Sequence, residues 1–332
     1  MRASGLHAPR PTILIGICAL ALAVGGEPDP PHLPLANGPF HSPYDVAFSP
    51  DGKLLAVSDR TAQAVWLVDM AKGNSLRSVA LDGEGTGVAW AEDGGRVWVG
   101  EYGAASVAEI DPRSGAVVRR LSVGRYPKGV AVAARRGLLL VSNSGTDSVS
   151  LLDLDTGREA KRISVPREPQ FIAVTRDESL ALIGNLLPAG RATAADHAAV
   201  ISVIDLSARV LVANVRLPPG STAVRKIVAS PDGRWAYVVH SLGRTKVPTT
   251  QLERGWVNTN ALSIIDLRAR TRYATVLLDH PMEGAADPWG TALSKDGKTL
   301  WVTLSGVHEV ARIDMESLNR FMGGGLPDDH RL

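Results

Sequence analysis

The chain has 332 residues, of which 45% are hydrophobic, 21% charged and 5% aromatic, and its formal net charge is +2. This composition is typical of a globular protein and excludes a disordered or fibrous chain. The near balance of charge argues against a nucleic-acid partner, because no excess of basic side chains remains to neutralise phosphates. The 33 glycines and 21 prolines interrupt the chain too often for long helices, so many short strands are expected.

Residues 1–26 have the layout of a secretory signal peptide. Two arginines precede an apolar run over residues 13–24, and Ala21-Leu22-Ala23 has the form of a cleavage site. The run is too short to cross a hydrocarbon layer of roughly 30 Å, so we expect export to the periplasm or beyond, without a membrane span. Cys18 lies within this segment and leaves a lipoprotein as the alternative. Residues 27–332 would then form a single domain without disulfides.

From residue 43 onward, a unit of strands and turns repeats along the chain. The first unit predicts an inner strand over Val46–Phe48 and a second strand over Lys53–Ser58, joined by a hairpin turn over Ser49–Gly52. A third strand over Ala64–Asp69 and an outer fourth strand over Leu76–Leu81 complete it. Proline presets φ in the hairpin turn and glycine supplies the positive φ.

The third strand of every unit ends in an aspartate, which makes the repeat countable. The six positions are Asp69, Asp111, Asp153, Asp205, Asp266 and Asp314. The first two steps are 42 residues long, and a fixed period near 42 with several strands per unit is typical of a β-propeller. The sequence therefore predicts an all-β propeller of four-stranded antiparallel blades, with six blades countable.

The sixth unit lacks a fourth strand, so the closure of the ring has two interpretations. Leu33–Ala36 resembles a fourth strand without a unit of its own, and it would complete the sixth blade. The alternative is a seven-bladed ring whose last blade lies beyond Leu332.

The strand sequences carry a family resemblance. Leu140–Asn143, Tyr237–His240 and Trp301–Leu304 are variants of Tyr-Val-Thr-Asn, and Val200–Asp205 matches the Ser-Val-Ile-Asp that follows. From residue 43 to about 314, the chain resembles the YVTN-repeat β-propellers. The resemblance implies the propeller fold, and relatives of this kind sometimes continue into a further blade or a haem-binding domain.

The predicted topology assigns function to one rim of the propeller. Inner strands begin and second strands end on the same rim, and every long insertion falls there, over residues 186–199, 241–260 and 277–287. The opposite rim has tight turns only. A decorated face on a uniform scaffold is a common arrangement for a binding site.

Two sets of residues on this rim are candidate binding residues. One set shares a register at the starts of the inner strands: Tyr44, Thr86, Lys128, Gln170, Arg225 and Trp289. Their polar, basic and aromatic side chains suit a polar or anionic ligand, whereas the alternative is an empty, water-filled channel. The second set is Arg254 and Trp256, which have the composition of an interface anchor. Their loop is similar to that of propellers accompanying a periplasmic haem peroxidase-like domain, although Trp256 packing its own loop is an equal alternative.

A metal site is the competing prediction for the same rim. The second strands end in polar residues at equivalent positions, four of which are candidate ligands: Glu101, Asn143, Asn185 and His240. Propeller hydrolases of the lactonase type hold Ca²⁺ or Zn²⁺ with such side chains, but ordinary polar strand ends look the same.

We therefore expect an exported, non-enzymatic propeller without a cofactor that binds a protein partner or a small polar or anionic ligand. The resemblance implies a role accessory to a redox protein of the cytochrome type. The alternative is a lactonase-like, metal-dependent hydrolase.

Overall fold

The computed structural model describes residues 41–243, 258–279 and 284–324. Within these ranges the strands form six antiparallel sheets in sequence order, which are the six blades of a propeller. The predicted fold class and the count of six blades are confirmed. The predicted signal peptide, residues 1–26, and the candidate closing strand Leu33–Ala36 lie outside the described residues.

The blades follow one another along the chain. Blade 1 contains β1 (Pro43–Phe48), β2 (Leu54–Asp59), β3 (Ala64–Asp69) and β4 (Asn74–Ala80). Blade 2 contains β5 (Gly85–Trp90), β6 (Val97–Glu101), β7 (Ser106–Asp111) and β8 (Ala116–Ser122). Blade 3 contains β9 (Pro127–Ala133), a 3₁₀ turn (Ala134–Arg136), β10 (Leu138–Asn143), β11 (Ser148–Asp153) and β12 (Glu159–Ser164).

The second half of the ring is less regular. Blade 4 contains β13 (Pro169–Val174), β14 (Leu180–Asn185), β15 (Val200–Asp205) and β16 (Val210–Arg216). Blade 5 contains β17 (Ser221–Thr222), β18 (Ile227–Ala229), β19 (Trp235–Gly243), β20 (Asn258–Asp266) and β21 (Thr271–Leu277). Blade 6 contains β22 (Pro288–Leu293), β23 (Thr299–Leu304) and β24 (Glu309–Asp314), followed by α1 (Met315–Met322).

Blade 5 departs from the predicted unit in two ways. Its inner strand is interrupted, because β17 and β18 both pair with β19 and residues 223–226 lie between them. The predicted insertion over residues 241–260 is also partly strand, since β19 continues to Gly243 and β20 begins at Asn258.

The aspartate that ends the third strand of a blade has a local structural role. The carboxylate of Asp69 accepts hydrogen bonds from the backbone N–H groups of Ala71 and Lys72 at 2.9 and 3.2 Å, and so turns the chain into the fourth strand. In blade 6 the aspartate at this position has a different role, because a helix follows it instead of a strand. The carboxylate of Asp314 accepts from the backbone N–H of Ser317 at 2.7 Å and caps α1.

The apolar core consists of five clusters, one at each junction between successive blades. At the first junction, Trp90 packs with Leu67 and donates its indole N–H to the carbonyl of Ala47 at 2.9 Å. Among the described residues no such cluster joins blade 6 to blade 1. There Phe48 is 57% exposed and Trp301 42% exposed. No helix in the described ranges is long and apolar enough to cross a membrane.

Candidate functional site

The candidate binding residues at the starts of the inner strands coincide with a β-bulge in five of the six blades. In β1, β5, β9, β13 and β22 the pairing with the second strand shifts just after the first residue of the strand. Such β-bulges twist a strand and re-aim side chains. In blades 1, 3, 4 and 6 a proline occupies that first residue. In each of these four blades the residue after the proline is the candidate binding residue: Tyr44, Lys128, Gln170 or Trp289.

Tyr44 is the centre of the resulting cluster at the channel mouth. Its ring stacks on Phe171 of blade 4 at 5.8 Å between centroids and meets Trp289 of blade 6 edge-on at 6.2 Å. Its hydroxyl donates a long hydrogen bond of 3.5 Å to the side-chain carbonyl of Gln170. Burial raises the pKa of the Tyr44 hydroxyl, with a further contribution from the carboxylate of Asp45. The mouth is therefore spanned by side chains that meet across the ring rather than left as an open tube.

Two basic side chains lie over the tyrosine rings. The ammonium of Lys128 is 5.2 Å from the centroid of Tyr44 and 4.6 Å from that of Tyr102. The guanidinium of Arg60 lies over the same two rings, at 5.7 and 5.2 Å. Contacts of this kind are favourable because the ring face carries negative charge. Burial, and then the neighbouring Arg60, lowers the pKa of Lys128 to about 8.

One residue further along the inner strands, a second group of side chains crosses the channel. The ammonium of Lys226 in blade 5 lies 2.8 Å from the carboxylate of Asp45 in blade 1 and 4.1 Å from the ring centroid of Phe171. The other carboxylate oxygen of Asp45 accepts the backbone N–H of Val88 at 3.2 Å. In blades 2 and 3 the same position is glycine. A Cβ on Gly129 would stand 2.4 Å from the carbonyl oxygen of Gln170.

The structure thus brings together five of the candidate binding residues: Tyr44, Lys128, Gln170, Arg225 and Trp289. Thr86, at the same register, is buried and donates its hydroxyl to the carbonyl of Pro127 at 2.9 Å. Arg254 and Trp256 lie outside the described residues.

Arg60 and Tyr102 belong to the cluster but were not among the predicted residues. Each directly follows the last residue of a second strand, and that position faces the same rim. An arginine and a tyrosine occupy it in blades 1 and 2, whereas Ser144 and Ser305 occupy it in blades 3 and 6. Comparing the blades at this position is the signal that would have found them.

The four candidate metal ligands are fully buried, and neighbouring side chains and backbone groups hold each of them. Glu101 accepts from the N–H of Asp82 at 2.9 Å and from the hydroxyl of Ser106 at 2.6 Å. Asn143 accepts from the N–H of Gly124 at 3.0 Å and donates to the hydroxyl of Ser150 at 2.9 Å. These bonds fix the connection that enters the blade to the end of its second strand.

Asn185 and His240 occupy the same position in blades 4 and 5. Asn185 donates to the carbonyl of Val200 at 2.9 Å, while one nitrogen of His240 lies 2.8 Å from the hydroxyl of Ser263. Burial lowers the pKa of His240 to about 4, so its ring is neutral at pH 7. Across the described ranges, no three His, Cys, Asp or Glu side chains are grouped as metal ligands would be. Geometry gives these four residues a structural role, and the metal site stays a prediction.

A polar cavity of about 740 Å³ lies on the opposite rim, among the hairpin turns. Two of its carboxylates, Asp177 and Asp232, already accept hydrogen bonds. Asp177 accepts from the hydroxyl of Thr175 at 2.7 Å, and Asp232 accepts from the backbone N–H of Arg234 at 3.0 Å. These bonds build the hairpin turns, which gives the two carboxylates a structural role.

The sequence and the structure of the chain were both found to resemble hydrazine synthase. No protein-family model matches the chain, so the assignment to the YVTN-repeat family stays a prediction. Hydrazine synthase subunit beta of Kuenenia stuttgartiensis is 30% identical over 118 residues, which are 36% of this chain and 30% of that protein. A solved chain of Kuenenia stuttgartiensis hydrazine synthase superposes with a TM-score of 0.79 at 23% identity, covering 91% of this chain and 84% of that chain. The match in sequence spans about a third of each protein, and the likeness in structure extends the shared propeller fold to nearly the whole described chain.

Proposed function

We propose that this chain is a non-catalytic propeller subunit of an exported, multi-subunit redox enzyme. The similarity to a protein named as a subunit of hydrazine synthase carries the proposal, because it combines a sequence match with a shared fold. The propeller would serve as a rigid platform, and the chemistry would reside in a partner.

The partner docks on the rim that carries the insertions. The connection between β14 and β15, over residues 186–199, leaves the scaffold on the side of the channel mouth. The end of β19 at Gly243 and the start of β20 at Asn258 lie on the same side. On the opposite side the connections are hairpin turns closed by short hydrogen bonds, such as that from the hydroxyl of Ser49 to Asp51 at 2.7 Å. Long, variable connections on a rigid scaffold are the usual source of specific contacts.

Trp256 and Arg254 are the proposed anchors of the docking surface. Tryptophan and arginine dominate the energetics of many interfaces, because each contributes a large contact area together with a polar or charged group. A signal peptide over residues 1–26 is part of the same proposal, since it would place the assembly outside the cytoplasm.

The proposal is tested by purifying the tagged full-length chain from its native cells under mild conditions. We expect it to elute as part of a larger complex that absorbs in the Soret region, as a haem partner requires. Trp256→Ala should lower the haem-to-propeller ratio at least tenfold. Tyr273→Ala is the matched control, because Tyr273 is an exposed aromatic residue on the outer strand of the same blade. A chain that elutes alone, without haem absorbance, would refute the assembly. Equal ratios for both variants would refute Trp256 as the anchor.

A further inference from the structure

We propose that the channel mouth binds one small oxyanion, a carboxylate or a phosphate, between the side chains of Lys128, Gln170 and Arg225. This site goes beyond the proposed subunit role, and its occupancy does not depend on a docked partner.

Lys128 is the first of three donors at the mouth without a matching acceptor. No carboxylate of the described ranges lies within 4.0 Å of its ammonium, which is held instead over the rings of Tyr44 and Tyr102. Aromatic faces stabilise a cation without neutralising it. The ammonium can therefore still bind an anion.

Gln170 and Arg225 supply the other two donors. The side-chain amide nitrogen of Gln170 and the Nε of Arg225 are both buried, and neither has a hydrogen-bond partner among the described residues. Gln170 is only 2% exposed, so water has little access to it. A buried donor without an acceptor is costly, and native structures contain few of them. Two at one channel mouth indicate that an acceptor from outside the chain belongs there.

The charges around the mouth favour an anion over a neutral acceptor. Arg60 is paired with the carboxylate of Glu84, and Lys226 with that of Asp45. Arg225 is less well matched, because its terminal nitrogen lies 3.9 Å from the carboxylate of Asp287 while its guanidinium stacks on Trp289 at 4.1 Å. Lys128 therefore carries the unmatched positive charge of the cluster.

A small oxyanion fits these donors better than a longer acidic group. Tyr44 stacks on Phe171 across the ring and meets Trp289 edge-on, so the space beside it is narrow. Oxyanions offer several lone pairs in a compact shape, and hydrogen bonds from charged donors to them are short and strong. Acetate represents a carboxylate and inorganic phosphate represents a phosphate. The two anions differ in charge and shape, so separate titrations show which of them the site binds.

The test is isothermal titration calorimetry of the full-length chain with sodium acetate and, separately, sodium phosphate, at pH 7 and constant ionic strength set with sodium chloride. We expect saturable binding with one site for at least one of the two anions. Lys128→Met removes the charge and keeps the aliphatic stem on the tyrosine rings, and it should weaken binding at least tenfold. Arg234→Met is the matched control, since Arg234 also lies over an aromatic ring, that of Trp235 at 4.5 Å, but is beside a hairpin turn on the opposite rim.

A second measurement keeps the proposal open to refutation if a variant folds poorly. The pH at which the Lys128 amine becomes reactive towards trace acetic anhydride should rise in the presence of the bound anion, because the anion stabilises the protonated form. Heats that do not saturate with either anion would overturn the proposal. So would equal affinity in wild type and Lys128→Met, or a Lys128 titration that the anion leaves unchanged.

Discussion

The buried side-chain oxygen of Asn185 has no donor among the described residues because Pro166 stands where blades 2 and 3 provide a backbone N–H. In blades 2 and 3 the residue at this position of the entering connection, Asp82 or Gly124, donates its backbone N–H to the end of the second strand at 2.9 or 3.0 Å. Pro166 follows Gly124 by one repeat of 42 residues and has no N–H to donate. The Asn185 oxygen is accordingly without a hydrogen-bond partner within the described structure.

Restoring that donor should stabilise the fold in a way that depends on Asn185. Pro166→Ala supplies the N–H but also loosens the unfolded chain, which costs about 0.4–1 kcal/mol. Its effect on the free energy of unfolding should be more favourable with Asn185 present than in an Asn185→Ala background, by roughly 1 kcal/mol. Urea denaturation of the four proteins measures this coupling. A coupling near zero would show that Pro166 does not cause the missing bond.

His240 should make the stability of the domain depend on pH. Burial holds its folded pKa at about 4, below the ordinary value of 6.5, so the unfolded chain takes up the proton first. The stability that comes from keeping the His240 ring neutral is fully present above pH 6.5. It is lost as the pH falls towards 4, and the loss reaches a limit of roughly 3 kcal/mol. His240→Asn removes the proton site, so the difference in unfolding free energy between the two proteins should change across this range. Parallel curves from pH 7 to pH 4 would contradict the assignment.

The Lys128 amine should titrate well below the ordinary value for a lysine side chain. Its pKa of about 8, against an ordinary 10.5, means that it loses its proton as the pH rises through 8. Burial lowers this pKa most, Arg60 and Arg225 lower it further, and Glu168 and Glu84 act to raise it. Trace acetylation followed by mass spectrometry gives the midpoint for each lysine in the same sample. A Lys128 midpoint near the ordinary 10.5 would refute the prediction.

Glycine at position 129 should be required by the packing of the inner strands. A Cβ there would lie 2.4 Å from the Gln170 carbonyl oxygen and 2.9 Å from the Cα of Phe171, both backbone atoms. Gly129→Ala should therefore destabilise the domain by about 1–3 kcal/mol or more. Gly103→Ala is the control, since nothing lies within 4 Å of the added Cβ. Similar melting temperatures for the two variants would contradict this account.

Closure of blade 6 by the segment Leu33–Ala36 remains a prediction, and the exposed side chains at that junction make it testable. If the segment pairs with β24, Leu35→Asp should lower the melting temperature by about 4 °C or more, because a charge would enter the sheet. Leu332→Asp is the matched control at the other end of the chain. No difference between the two would favour another partner for the edge of β24 that is unpaired among the described residues.

Strand positions were predictable wherever a local interaction fixes them. The bounds of β3 agree with the prediction because the Asp69 side chain starts the turn after it through bonds to Ala71 and Lys72. The interruption between β17 and β18 was not predictable, since the inner strand of blade 5 reads as continuous in the repeat. At the channel mouth, the shared register of the inner-strand starts predicted that Tyr44 and Gln170 lie on one ring of residues. Their contact joins residues 126 positions apart and depends on the diameter of the ring, which no local pattern encodes.

The ion pair between Asp45 and Lys226 bears on how the protein folds. It joins residues 181 positions apart, whereas the apolar clusters join only neighbouring blades. Proteins built from repeats can fold unit by unit through such neighbour contacts. The pair at the mouth forms only once blades 1 and 5 have been brought together, so its closing step is slowed by the entropy of a long loop. Contacts at the mouth therefore report the moment at which a linear row of blades becomes a ring.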